Sequence, residues 1–369
     1  MVSVARQNLL HEKSKVALSI SGVVLSVFLI FATLGLYNGI ITVVENMTTK
    51  SGADLWVTSR GSSGSLHSPS LLNTGIGERL RQIPDVNKVA ALIRRPVATT
   101  LNGEKVLINI NGFDTITGLG GPWKMVGGSA RPANGEIVID RVLARKYALR
   151  IGGTLALEGK QFKIIGLSDE TFNMISYLVF VTADDARSFL PSGLTNFFLV
   201  KTAPSADIAS VKASITSALP DVSVATADES AQDAKNETVG GFLPIVMVIS
   251  AVGVLVGILV VGLLVYTMTV EKSQEYGVLR ALGSTDGYLY RIVLFQALAV
   301  AVLGFAAGAV VSPPLIALIR YLVPEFVVEI TVPMVLWSLV LFIATGIIAS
   351  FIPLRRLSRI DPAIVFKGK

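Results

Sequence analysis

The chain has 369 residues, of which 51% are apolar, a mean hydropathy of +0.64 and a net charge of +6. That apolar share is too high for an ordinary water-soluble domain. The absence of cysteine excludes disulfides, thiolate metal sites, acylation at cysteine and thiol catalysis.

Taken in chain order, Val4–Lys13 places its apolar residues on about one helical face. This predicts a short interfacial helix within residues 1–15 on the inner leaflet, a frayed polar leader being the alternative. Val16–Val44 then contains no Asp, Glu, Lys, Arg or His. It is longer than the roughly 20 residues that cross a bilayer core. Its basic start resembles a signal peptide, but the apolar run is too long and no small-x-small cleavage site follows. We expect an uncleaved signal anchor.

Glu45–Glu237 reads as one folded domain outside the membrane. Ala53–Thr58 reads as a strand, Ser59–Ser70 as a Gly/Ser-rich loop, and Ile76–Ile83 as a short helix stopped by Pro84. Val89–Ile93 and Val97–Leu101 read as strands, with Asn102-Gly103 a hairpin turn into Lys105–Asn111. At the far end, Phe197–Thr202 (strand), Ala206–Leu219 (helix) and Val222–Thr226 (strand) repeat that order. Between the two flanks, about 114–191, lie the short strands Glu136–Ile139, Thr154–Leu157, Gln161–Gly166 and Leu178–Thr182 and the helix Leu143–Leu149. The expected fold is therefore a split α/β layer with an inserted, mostly β subdomain. Asp228–Glu237 reads as a polar helical stalk.

Three more uncharged apolar runs follow: Thr238–Val270, Ile292–Ile319 and Ile330–Leu354. A charged loop at 271–291, a short external loop at 320–329 and a tail at 355–369 lie between and after them. The fold class is thus an α-helical membrane protein with four transmembrane helices plus an extracytoplasmic α+β domain. With four spans, both termini and the 271–291 loop share one side. The positive excess lies wholly in 1–15 and 355–369. The positive-inside rule places that side in the cytoplasm. Charge spread over juxtamembrane segments disfavours nucleic acid as partner and fits attraction to anionic lipid headgroups.

The loop carries Val270-Glu271-Lys272-Ser273-Gln274-Glu275-Tyr276-Gly277-Val278-Leu279-Arg280-Ala281-Leu282-Gly283-Ser284, followed by Leu294–Leu298 and Gly304/Gly308. The tail carries Pro353-Leu354-Arg355-Arg356, ending in Asp361-Pro362. The outer domain carries Gly135–Ile139, Leu143-Ala144 and Ile151–Leu155. These stretches resemble the FtsX/MacB-type ABC transporter permease family over nearly the whole chain, although the family usually has an acidic residue where Gly153 stands. Ala5–Lys13 and Gly52–Val57 look closest to the DevC-like branch. The resemblance implies a homodimeric or pseudo-dimeric permease of the bacterial inner membrane, served by separate ABC ATPase subunits that bind ATP and Mg. A membrane-fusion or periplasmic protein is a further partner it allows. Family members expel lipophilic compounds, release lipoproteins or drive cell-wall hydrolases.

The chain has no phosphate-binding G-x-x-x-x-G-K-[ST] loop, so ATP hydrolysis is expected elsewhere. Glu271, Lys272, Glu275, Leu279, Arg280, Leu282 and Gly283 are the expected ATPase-coupling residues, the leucines entering a groove and the charges fixing the angle. A solvated connector is the other reading. Three G-x-x-x-G pairs, Gly35/Gly39, Gly253/Gly257 and Gly304/Gly308, suit close helix packing or dimerisation, or arise by chance among 33 glycines. Tyr37, Phe242, Tyr321, Trp337 and Tyr266 suit interfacial anchors. Tyr37, Asn38 and Glu45 have a second reading, a lipid-facing substrate entry. His11 and His67 alone make a metal site unexpected, and no catalytic constellation stands out. Spans without ionisable residues argue against ion-coupled transport. The expected work is export or extraction of an amphipathic, lipid-like molecule by mechanotransmission. The alternative is a non-transporting mechanotransmitter that activates a cell-wall hydrolase or sensor.

Overall fold

A computed structural model describes residues 13–62, 70–172, 176–281 and 283–357. The expected interfacial helix and the basic tail lie outside or at the edge of these residues. In chain order, α1 (Lys13–Thr49) leads to β1 (Leu55–Ser59), β2 (Leu72–Asn73) and α2 (Ile76–Arg81). The chain continues through β3 (Val86–Leu101), β4 (Glu104–Phe113), β5 (Met125–Gly128), β6 (Glu136–Asp140) and α3 (Arg141–Lys146). Next come β7 (Thr154–Leu157), β8 (Lys160–Ser168), β9 (Tyr177–Thr182), α4 (Ala183–Arg187), β10 (Leu194–Thr195) and β11 (Phe197–Thr202). The last elements are α5 (Ile208–Ala218), β12 (Val222–Thr226), α6 (Ala227–Glu271), α7 (Ser273–Ala281), α8 (Asp286–Leu322) and α9 (Val332–Leu357). They fall into two compact units, one of residues 1–38, 243–322 and 328–369, the other of residues 39–242 and 323–327.

The first unit holds the four candidate spans, Val16–Thr49, Leu243–Glu271, Gly287–Leu322 and Val332–Phe351, the first running on beyond the unit's boundary. The first span thus extends past the expected Val44, and Glu45 lies on the helix rather than after it. The polar stalk and the second span are one helix, the 45-residue α6, which runs unbroken through Gly240 and Gly241. Pro244 is accommodated inside α6. Its missing N–H leaves the Gly240 carbonyl without its helical partner. Close packing is glycine-dependent: a Cβ on Gly304 would lie 2.6 Å from Val23, and one on Gly308 2.7 Å from Val27. Phe305 fills the adjoining space, with ring centres 6.1 Å from Phe31 and 5.7 Å from Phe342. Leu263, Val310 and Trp337 are exposed, a surface suited to hydrocarbon rather than water.

The second unit is built on a sheet ordered β12-β1-β11-β3-β4-β9-β6-β8-β5, with β7 on β8. Side chains alternate across it. Leu55 and Val57 point to the core under α2 and α5, with Leu80, Phe198, Val200 and Ile215. Trp56 points to the opposite face, with Leu92, Phe113, Phe180 and Leu199. A third core, around Ile93, Ile108, Ile139, Phe162 and Val179, fills the half containing β4 and β6–β9.

The two strands expected at Val89–Ile93 and Val97–Leu101 are one strand, the 16-residue β3. It pairs with β11 through Leu92 and with β4 from Ile93 onward. Pro96 therefore sits where β11 no longer flanks the strand, and a missing N–H is tolerated there. The mostly β portion expected over about 114–191 is not a separate sheet. It continues the flanking layer through β3 and β4, because β4 pairs in parallel with β9. The hairpin turn falls at Asn102 and Gly103, both with positive φ (50° and 85°), as a two-residue primed turn requires.

Candidate functional site

Immediately after α6, the charged loop forms α7, a helix of nine residues. Lys272 and Glu275 are ion-paired one turn apart. Tyr276 and Gly277 are buried and Leu279 is half-buried, whereas Val278 is 45% exposed on a helix that otherwise offers water polar groups. Glu271 is exposed at the end of α6. The helix is closed by Gly283 at φ +94°, with the Ser284 N–H donating to the Leu279 carbonyl at 3.0 Å. This is the six-to-one bond of a Schellman ending, and it needs a residue that accepts the left-handed conformation. Leu282 and the side chain of Arg280 lie outside the described residues. Of the seven expected coupling residues, Lys272 and Glu275 are thus brought into direct contact.

Of the three residues with an alternative reading as a substrate entry, Asn38 and Glu45 have separate partners. Asn38 Nδ2 lies 3.7 Å from Met334 Sδ. Glu45 accepts from Lys235 Nζ at 2.8 Å, joining α1 to the polar part of α6. Tyr37 is half-buried. The six paired glycines meet groups of their own chain: Gly35 faces Val328, Gly39 faces Val327, Gly253 faces Ile30, and Gly257 faces Phe342. Gly304 and Gly308 face α1 as described above.

A cluster with no sequence signature lies in the second unit. Glu325, from the connector after α8, accepts from Tyr177 Oη at 2.8 Å and from Lys146 Nζ on the same oxygen. Lys146 Nζ is also 3.8 Å from Glu104, whose other contact is the Tyr147 hydroxyl, donating at 3.0 Å. Tyr177 stacks on Phe172 with ring centres 4.5 Å apart. Val106, Leu107, Val323 and Phe326 help line the adjoining cleft of about 350 Å³. Burial alone would raise the Glu325 carboxyl, but hydrogen bonds from Lys146 and Tyr177 outweigh it and hold the group below the usual glutamate range. The hydrogen bond to Glu325 raises Lys146, and burial, reinforced by that carboxylate, raises the Tyr177 phenol. The residues stand 148 and 179 positions from Glu325, so no local pattern could have announced them. A wider cleft of about 650 Å³ is lined by Arg81, Asp114, Asn134, Asp184 and Arg187 among others.

Among known families, the MacB-like periplasmic core domain matches residues 16–218, and the FtsX-like permease C-terminal domain matches residues 247–362. An uncharacterized ABC transporter permease of Mycobacterium tuberculosis is 24% identical over 380 residues, spanning all of both chains. A putative hemin transport system permease protein, HrtB of Staphylococcus epidermidis, is 25% identical over 64% of this chain and 65% of its own. The pyoverdine export ATP-binding/permease protein PvdT of Pseudomonas savastanoi is 32% identical over 31% of this chain and 17% of its own. Among solved structures, the periplasmic region of MacB from Actinobacillus actinomycetemcomitans aligns with a TM-score of 0.41 at 14% identity, covering 53% of this chain and 98% of that one.

Proposed function

Because the chain belongs to the FtsX/MacB-type family of ABC transporter permeases, we propose that it converts ATP hydrolysis on a separate ATPase chain into motion of its outer domain. That motion exports or extracts an amphipathic, lipid-like molecule. The chain works as a homodimer in the bacterial inner membrane, in contact with lipid, with both termini in the cytoplasm. ATP and Mg are bound by the partner, and a membrane-fusion or periplasmic protein is a further candidate partner. The small molecules named for two relatives, hemin and pyoverdine, fit a small amphipathic cargo better than a protein one.

The observation that supports this reading is α7. A short helix with an ion pair on one turn, a buried Tyr276 and an exposed Val278 has the makings of a docking element: it is anchored by one residue and offers an apolar side chain among polar ones. A connector held only by water would favour neither feature. Docking would bury Val278 and Leu279 and place Glu271, Glu275 and Arg280 against the ATPase surface.

The test is co-purification with the partner ATPase. Losing a buried leucine costs about 2–5 kcal/mol in a packed site, enough to unseat a small docked helix. Leu279→Asp with Leu282→Asp should leave membrane levels normal and abolish ATPase association. Since Leu279 is half-buried in its own chain, Val278→Asp provides a second variant at a more exposed position. Wild-type capture of the ATPase by both variants would make α7 a mere connector. Purified alone, the chain should hydrolyse no ATP, since it has no phosphate-binding loop.

A further inference from the structure

The connector between α8 and α9 is short, and its neighbours in the chain on both sides belong to the membrane unit. Residues 323–327 themselves pack as part of the outer unit. A connector of this kind is ordinarily solvated. This one is held at three points. Glu325 takes the Lys146 and Tyr177 donors. Val327 packs against the core that contains Ile93, Ile108 and Val179. Val323 and Phe326 line the cleft beside Phe172.

The attachment points are not peripheral. Tyr177 is 5% exposed and opens β9, which is flanked by β4 and β6 inside the sheet. Lys146 stands in the last turn of α3, the helix that directly follows β6. Without Glu325, the buried Tyr177 hydroxyl would lose its acceptor and Lys146 its nearest carboxylate. Leaving the Tyr177 hydroxyl without an acceptor is costly, and Lys146 would keep only Glu104, at 3.8 Å.

We propose that Glu325 pins the connector to the half of the outer domain containing α3 and β9, so that displacement of α8 or α9 is delivered to that half directly. This is a route separate from the two helices, α1 and α6, that enter the outer unit along the chain. It rests on the reading that a partner ATPase drives the helices.

The test is hydrogen–deuterium exchange on the full chain with its partner ATPase in nanodiscs, with and without ATP. In the wild type, ATP should change exchange in residues 143–147 and 177–182 and in the polar part of α6, residues 227–237. In Glu325→Ala, the ATP-dependent change at 143–147 and 177–182 should fall by on the order of fivefold, the lower end of typical coupling between sites. The change at 227–237 should remain. A merely structural Glu325 would shift exchange equally with and without ATP and leave the difference intact. If Glu325→Ala lowers protein levels, Glu325→Leu, which keeps side-chain bulk but accepts from neither donor, is compared in the same way. A wild-type ATP response at 177–182 in the Glu325 variants overturns the pin. No ATP-dependent change anywhere in the wild type overturns the driven-domain reading and the pin with it.

Discussion

Arg94 lies against a pair of aromatic rings, 5.9 Å from the Trp56 ring centre and 5.6 Å from that of Phe197. Among the described residues no carboxylate comes within ion-pair distance of it, and its Nε donates to Asn111 Oδ1 at 3.3 Å. Burial lowers its pKa to about 10, which still leaves it charged at neutral pH. A planar, weakly hydrated guanidinium tolerates such a site where an ammonium would not. Glu325 is the opposite case, a carboxylate whose charge is fully matched. Its folded pKa lies below the ordinary 4.5, so its contribution to stability is complete above that value and is lost as pH falls through the folded one. Lys146 is raised above 10.5, so its contribution is complete below that value and is lost as pH rises through the folded one. The stability difference between wild type and Glu325→Gln should therefore be flat between these limits and shrink outside both. Thermal unfolding in detergent across pH measures this. A difference that drifts steadily through neutral pH would mean that another group sets it.

At the scale of elements, glycine decides how near the helices can come. Gly304 and Gly308 accept the side chains of Val23 and Val27 at distances no Cβ permits. A larger residue must push α8 away from α1 or force strained rotamers, at about 1–3 kcal/mol for each overpacked site. Gly308→Leu should lower the unfolding temperature of the detergent-solubilised chain. Gly287→Ala, on the same helix but with open space around it, should not. Because both substitutions raise helix propensity, a Gly308→Leu chain that unfolds no lower than the wild type would show that the α1–α8 contact does not depend on the missing Cβ. The same logic of local tolerance explains β3. A strand interrupted by Pro96 reads as two in sequence, and it is one in the fold because a single free edge absorbs the missing donor.

At the scale of the whole molecule, charge placement carries the strongest expectation about orientation. The entire positive excess lies in residues 1–15 and 355–369, and the side that holds it should be cytoplasmic. The cysteine-free chain makes this direct to measure. In intact cells, a thiol reagent that does not cross membranes should label Ile116→Cys, an 88% exposed position in the outer unit. It should label Gln274→Cys, exposed on α7, only after permeabilisation. The reverse pattern would invert the molecule and remove α7 from any cytoplasmic ATPase.

The sequence by itself determined the four spans, most strands and helices of the outer domain though not β2, β5, α4 or β10, and the charged loop that becomes α7. These follow from hydropathy runs, from periodicities of two and 3.6, and from turn residues, all of which act over a few neighbouring positions. Some local features still misled. Pro96 divided β3 in the sequence reading, and the change from polar to apolar residues near Glu237 hid the continuity of α6. Only the tertiary structure decided that β4 and β9 pair in parallel, joining the two parts of the outer domain into one sheet. It alone brought Glu325 to Lys146 and Tyr177. Such contacts depend on which surfaces are buried together when the chain closes long loops, and residues more than a hundred positions apart leave no pattern in their own neighbourhoods.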